Sequence, residues 1–508
     1  MPNPADRPPL VSARDITLRI GYRLVLSPAS FDLQRGECTV ITGANGSGKS
    51  LLAEIVAGLR TPSTGTISWP GLCEDPGARA ALVSFEAQER LIARERREDT
   101  SAIMHGELDP GHTVAELIGE HTVGGRADAV PPLAERFGIR HILSRGLRFL
   151  STGEFRKTLL AAALVREPRL LIIDDPYDGL DADSRNELAR LIDDLHSGER
   201  SLLLVTSRGR DIPSCATRLI EITDGTVRRD EAILRRAEPA APRGGPAARR
   251  EERPPGEAAS APETGEALRR PDRRCTPREA IIAMRGVRVA YGPVPVLNEV
   301  DWTVCPEDRW MIVGPNGSGK STLLSLITGD NPKGYGQDIR LFGRRKGSGE
   351  SVWEIKRRIG YVSGDLQFAY PLRATVRETL LSGFYDSVGL FDEASGHEEE
   401  IAAEWAGRLG LADRLDTRLR ELSFGLRRVV LVARAVVKDP RLLIADEPCQ
   451  GLDDEHTAQV LELLEAIGAG ETTLLYVTHD PAEKPGVLTH RLKLIPGPEG
   501  SRAVATRV

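Results

Sequence analysis

Gly314-Pro315-Asn316-Gly317-Ser318-Gly319-Lys320-Ser321-Thr322 fits G-x-x-x-x-G-K-[ST] and follows directly on the apolar run Trp310-Met311-Ile312-Val313. A short apolar strand entering a glycine-rich loop, then the helix-like Ser321-Thr322-Leu323-Leu324-Ser325-Leu326-Ile327, is the setting in which this pattern forms a phosphate cradle. Glycines let successive N–H groups converge on an anion, and the helix N-terminus adds its partial positive charge. Lys320 is placed to reach the outer phosphates, and the Ser321 hydroxyl to ligate Mg²⁺. Without its strand and helix the loop would be a glycine turn beside a surface lysine; both flanks are present.

The motif occurs again. Gly43-Ala44-Asn45-Gly46-Ser47-Gly48-Lys49-Ser50 follows the apolar Thr39-Val40-Ile41, and Lys49 precedes Lys320 by 271 residues. An offset of 272 relates Leu150-Ser151-Thr152-Gly153-Glu154 to Leu422-Ser423-Phe424-Gly425-Leu426, and Leu170-Leu171-Ile172-Ile173-Asp174-Asp175-Pro176 to Leu442-Leu443-Ile444-Ala445-Asp446-Glu447-Pro448. The same offset relates Val205-Thr206-Ser207 to Val477-Thr478-His479. Four motifs in register within one residue make the chain two copies of one domain. The copies are expected over residues 8–231 and 278–508. Residues 232–277, rich in Pro, Ala, Arg, Glu and Gly and poor in large apolar side chains, are expected to be a flexible linker. Buried strands alternating with helices after each phosphate loop predict an α/β fold with a largely parallel sheet.

Composition narrows the class. At 508 residues the chain exceeds one ordinary core. No stretch approaches the roughly 20 apolar residues of a membrane span, so a membrane role would run through a partner. Met1 to Leu10 is proline-rich without an apolar core, so no secretory signal is expected. The six cysteines, Cys38, Cys73, Cys215, Cys275, Cys305 and Cys449, show no C-x-x-C pairing, so neither a zinc site nor a disulfide framework is expected, and a reduced cytoplasm fits. A net charge of −6 supplies no global basic field for nucleic acid.

Leu-Ser-x-Gly-x ahead of an apolar strand ending Asp-Glu-Pro, closed by Leu-Asp, resembles the ATP-binding cassette (ABC) family over nearly all of both halves. The resemblance implies two tandem nucleotide-binding domains, each a P-loop parallel-sheet core with an antiparallel β subdomain and a helical subdomain. It implies head-to-tail closure around two ATP molecules with Mg²⁺, each nucleotide between one copy's P-loop and the other's serine-glycine turn. A tandem chain carries both halves, and a linker keeps them at high effective concentration.

On that pattern, site two joins Gly314 to Thr322, Asp446, Glu447 and His479 with Ser151 and Gly153. Asp446 and Ser321 hold Mg²⁺, Glu447 accepts the proton of the attacking water, and His479 bridges that water and the γ-phosphate beside Lys320. Ser151 and the Gly153 N–H cap the γ-phosphate. Site one joins Gly43 to Ser50, Asp174, Asp175 and Ser207 with Ser423 and Gly425, its Mg²⁺ ligands being Ser50 and Asp174. It departs from the pattern where Asp175 replaces the glutamate, Ser207 the histidine and Leu426 the last polar residue of the turn. A positioned general base is worth roughly 10²–10⁴ in rate, so ATP is expected at both sites and turnover mainly at site two.

Tyr291 lies 29 residues before Lys320, where the family places an adenine-stacking aromatic; Ile20 is its counterpart, with Tyr22 on the same strand face. The glutamine expected after the next strand is replaced by Phe85 and Gly364, with Gln88 and Gln367 three residues later. Gly343 to Glu350 is basic and glycine-rich but lacks G-K-[ST], so a solvated loop is expected; Arg90 to Asp99 is expected to be an exposed helix.

Ile327 to Tyr335, Leu341 to Ser363, Leu381 to Gly389, Ser151 to Glu154 and Thr489 to Leu492 look like the ModF-type tandem ATPases, named for association with molybdate uptake. That resemblance implies a transporter ATPase subunit working with a membrane permease at the inner face of the cell membrane; no residue reports molybdate. Two alternatives stand beside it. A translation factor of the ABC-F class would carry Asn-His-Leu-Asp where this chain has Asp178-Gly179-Leu180-Asp181 and Gln450-Gly451-Leu452-Asp453. The other is a stand-alone ATP-driven switch for repair or stress.

Overall fold

The strand Arg309–Val313 shows why each half folds as it does. Trp310 and Ile312 enter one hydrophobic core, and Met311 and Val313 enter another on the opposite face. A strand apolar on both faces belongs inside a sheet covered on both sides. In this computed structural model it pairs in parallel with Thr473–Val477 and His490–Ile495. The full order is Ile359–Ser363, Leu442–Asp446, Thr473–Val477, Arg309–Val313, His490–Ile495 and Arg502–Arg507, the last strand antiparallel. The structure describes residues 8–70, 79–84, 91, 111–120, 130–197, 200–233, 275–276, 278–481 and 483–508.

The first half repeats this order with Ala80–Ser84, Leu170–Asp174, Ser201–Thr206, Cys38–Thr42, Arg218–Thr223 and Thr226–Ala232. A separate antiparallel sheet covers one face in each half: Arg23–Leu33, Val11–Ile20 and Thr64–Ser68 in the first, Val294–Val304, Ile282–Tyr291, Asp338–Leu341 and Arg344–Arg345 in the second. Helices cover the other face. The helices after the serine-glycine turns, Thr152–Leu164 and Phe424–Val436, pack against Val114–Glu120 and Val376–Leu381. The α/β tandem fold expected from the alternation of strands and helices is the fold observed.

Two expectations change. Cys275 and Cys305 form a disulfide across 30 residues of sequence, against the expectation of none. The hairpin Ile282–Tyr291/Val294–Val304 pairs Ile282 with Val304, which returns Cys305 to the place where the hairpin began; local Cys spacing cannot register such a return. The Gly343–Glu350 stretch is not wholly a solvated loop. Lys346 is buried, and its ammonium donates to the Leu326 and Asn331 carbonyls at 3.1 and 3.3 Å. Ala232 ends a strand, and Thr276 Oγ1 donates to Glu279 Oε2. Residues 234–274, Phe85, Gln88 and all of Arg90–Asp99 except Leu91 lie outside the described residues.

Candidate functional site: two composite sites between the cassettes

Each phosphate loop turns into its helix through a left-handed glycine, Gly48 at φ 96° and Gly319 at φ 88°. Any other residue would be strained there. The helices that follow, Lys49–Val56 and Lys320–Thr328, point their N-termini at the loop. Lys49 donates to the Ala44 carbonyl at 2.8 Å, and Lys320 to Gly314 and Pro315 at 2.8 and 3.1 Å. Burial lowers the pKa of both ammoniums, opposed by the nearby carboxylates of each site. The Ser47 and Ser318 hydroxyls are buried without a hydrogen-bond partner.

Both loops reach across to the other cassette. Asn45 N–H donates to Asp453 Oδ2 at 2.6 Å, and its side-chain amide to the Gly451 carbonyl at 2.8 Å. Asn316 repeats this on Asp181 Oδ2 at 3.1 Å and the Gly179 carbonyl at 3.4 Å. The serine-glycine turns stand behind those glycines. A methyl group on Gly179 would lie 3.8 Å from Thr152, and one on Gly451 would lie 3.0 Å from the Phe424 ring. Each phosphate loop therefore shares a cleft edge with the turn of its sibling.

Asp175 and Glu447 follow their strands through the same turn. Their φ values are 45° and 48°, and their N–H groups donate to Val205 and Val477, both at 2.9 Å. Left-handed backbone at a non-glycine residue is costly and concentrates at functional sites. With the backbone held alike, the two carboxylates differ by one methylene.

The electrostatics differ more. Burial alone would push Glu447 upward, but His479, whose Nδ1 lies 3.4 Å from Glu447 Oε2, and Lys320 hold it below its ordinary range. Burial pulls His479 down, but Glu447 and Asp178 of the other cassette outweigh it and raise its pKa. Site one has no such imidazole. Asp174 is raised by burial and by Asp175, and Asp175 by burial and by Asp178.

These groups suit a hard divalent cation. Asp174 Oδ1 is buried without a hydrogen-bond partner, and the Ser50 hydroxyl bonds to the same carboxylate. One carboxylate, one hydroxyl and phosphate oxygens are an Mg²⁺ donor set. Among the described residues no cluster of three or more His, Cys, Asp or Glu side chains offers an all-protein metal cage.

Gln367 is buried, donating to the Phe424 carbonyl at 2.9 Å and accepting from Arg428 at 2.7 Å, so both ends of its amide are engaged by the helix of the serine-glycine turn. Tyr291 is 47% exposed, its hydroxyl accepting from Asn331 at 2.8 Å. Ile20 and Tyr22 are exposed at the end of the first strand.

Two sets of residues went unseen in the sequence. Tyr361, on the strand beside Leu442–Asp446, donates its hydroxyl to Asp446 Oδ2 at 3.3 Å. Arg208, buried between the cassettes, donates to the Leu452 and Cys449 carbonyls at 2.6 and 2.7 Å and to Glu483 at 2.8 Å. Arg210 adds Asp480 at 2.8 Å and also reaches Glu483. A signal existed: Asp480 is the in-register counterpart of Arg208, and opposite charges at equivalent positions suit a head-to-tail pair.

This geometry, two phosphate loops each bonded to the other half's Gly-Leu-Asp loop, defines a tandem ATP-binding cassette protein. The chain belongs to the ABC transporter family, whose profile matches residues 26–178 and 297–450. It is 39% identical over 97% of its length to the ABC transporter ATP-binding protein ModF of Escherichia coli strain K12, covering 98% of that protein. An uncharacterized ABC transporter ATP-binding protein of Schizosaccharomyces pombe is 28% identical, with 91% of this chain and 93% of the relative covered. Among solved structures, an archaeal ribosome recycling factor in complex with a ribosomal stalk protein matches 96% of this chain and 89% of its own at TM-score 0.54 and 20% identity. At that identity the likeness shows the fold alone. Membership carries ATPase activity of the ABC type and the use of ATP with Mg²⁺. Among the described residues no helix is long and apolar enough to cross a membrane.

Proposed function

We propose that this chain is a self-contained, asymmetric ATP-driven switch: both composite sites bind ATP, site two turns it over, and site one holds it. The observation that carries the reading is the reciprocal contact of Asn45 and Asn316 with the opposite Gly-Leu-Asp loops. Closure is thereby an intramolecular event, favoured by the effective concentration a linker of residues 232–277 would supply.

In site two the phosphate-loop amides and Lys320 bind the phosphates, and Ser151 with the Gly153 N–H caps the γ-phosphate from the other cassette. Asp446 and Ser321 would hold Mg²⁺, which when bound neutralises charge developing on the phosphate oxygens. Glu447, kept ionised by His479 and Lys320, accepts the proton of the attacking water. In site one Asp174 and Ser50 would hold the metal, while Asp175 stands short of the water and Ser207 offers no imidazole. Tyr291 supplies a ring face for adenine in site two.

A second reading, the motor of a membrane permease, is favoured by the words ABC transporter in the name of the 39% identical relative; molybdate, which only the motif resemblance implies, would be its cargo context. Affinity purification of the full chain carrying Glu447→Gln, with ATP, separates the two. A stand-alone switch is recovered without membrane subunits; a stoichiometric permease in the eluate would overturn it in favour of the motor. For the asymmetry itself, Asp175→Asn is expected to leave steady-state ATP hydrolysis within about twofold of the parent, since the general-base contribution resides at the other site. Loss of turnover in that variant would place the working base in site one.

A further inference from the structure

Site one differs from site two in how its capping serine is held. In the first cassette, Ser151 and Glu154 form a reciprocal cap: Glu154 N–H donates to the Ser151 hydroxyl, and the Glu154 carboxylate accepts from Ser151 N–H at 2.8 Å. In the second, Leu426 stands in place of that glutamate, so the serine has lost its local carboxylate. His456 of the helix Asp454–Gly468 takes over. Its Nε2 lies 3.2 Å from Ser423 Oγ, and its Nδ1 lies 2.6 Å from Asp453 Oδ1. With Nδ1–H donating to the carboxylate and Nε2–H to Ser423 Oγ, the serine keeps its own proton for a phosphate oxygen.

The ring is buried and lies against the turn's glycine, where a methyl group on Gly425 would run into it. Asp453 also accepts the Asn45 N–H of the opposite phosphate loop. One hydrogen-bonded series thus runs Ser423, His456, Asp453, Asn45, joining the two walls of site one across the interface. Site two has no counterpart, because the in-register residue is Ser184, whose short side chain lies 3.1 Å from where a methyl on Gly153 would stand.

We propose that His456 is a positioning residue of site one. It aims the Ser423 hydroxyl at the γ-phosphate of a bound nucleoside triphosphate and ties that aim to the phosphate loop, so that site one retains nucleotide. The inference rests on the asymmetric-switch reading and assigns its holding half to one side chain. When a nucleotide enters, its γ-phosphate oxygen meets a hydroxyl already fixed in place, and less ordering remains to be done on binding.

The test uses the full chain in the Glu447→Gln background, incubated with radiolabelled ATP and Mg²⁺ and freed of unbound nucleotide by gel filtration. The parent is expected to retain two nucleotides per chain. His456→Ala is expected to retain one, with affinity at the vacated site weakened about tenfold, the scale of one lost hydrogen bond to a charged group. Two further variants separate positioning from packing. His456→Gln reaches Ser423 but not Asp453 and is expected to recover part of the second nucleotide. His456→Asn reaches Asp453 but not Ser423 and is expected to behave like Ala. Two nucleotides retained by His456→Ala, or equal retention by Asn and Gln, would overturn the assignment. A parent retaining fewer than two would overturn the paired-site reading itself, and this inference with it.

Discussion

Replacing Glu447 by Gln is expected to lower steady-state ATP hydrolysis by roughly 10²–10⁴-fold, the contribution of a positioned general base, while ATP-dependent closure persists. The amide fills the same volume at the same strained turn, so the backbone bond to Val477 and the neighbouring Asp446 stay in place. What disappears is the proton acceptor. Against burial, His479 and Lys320 hold this carboxylate below its ordinary range, so in the parent it is charged at neutral pH and ready to take a proton. Site one offers no equal substitute, because Asp175 carries one methylene fewer on the same backbone turn and Ser207 has no imidazole. Phosphate release under saturating ATP measures the first half of the expectation, and nucleotide retention the second. Turnover near the parental rate would remove Glu447 from its role.

Arg208→Ala is expected to have the next largest effect, on closure rather than on chemistry. The guanidinium bonds two carbonyls of the opposite Gly-Leu-Asp loop and pairs with Glu483; both side chains are largely buried, at 10% and 16% exposure. Truncating one partner of a buried, hydrogen-bonded charge pair costs about 2–5 kcal/mol. Arg210 also reaches Glu483 and softens the loss. A distance-sensitive fluorescent pair, one probe per cassette, should report weaker ATP-induced closure. Hydrolysis should fall at least about tenfold, which corresponds to about 1.4 kcal/mol, while thermal unfolding of the cassettes changes little. Normal closure and normal turnover would show that the Asn45 and Asn316 contacts suffice alone.

The two variants probe different levels of legibility. The place of Glu447 at a strand end was readable because its setting is local: an apolar strand, then Asp446-Glu447-Pro448, in register with Asp174-Asp175-Pro176. The phosphate loops, serine-glycine turns and tandem α/β fold were readable for the same reason, each being a short pattern with a mechanism. Arg208, Tyr361 and His456 were not, since nothing in their neighbours says what they meet. Tyr361 faces Asp446 only because two strands 85 residues apart pair in parallel. The disulfide escaped for a related reason: its cysteines are brought together by a hairpin between them, not by spacing.

Sequence alone determined that there are two ATP-binding cassettes, where each phosphate-loop motif lies, and that the first copy lacks the glutamate and histidine of the second. Those facts follow from backbone and side-chain chemistry confined to a few consecutive residues. Only the tertiary structure decided how the copies engage: Asn45 and Asn316 on the opposite Gly-Leu-Asp loops, Arg208 and Arg210 on Asp480 and Glu483, and His456 between Ser423 and Asp453. Hydrogen bonds and ion pairs act over about 3 Å, and residues hundreds of positions apart come that close only after both cores have formed and docked.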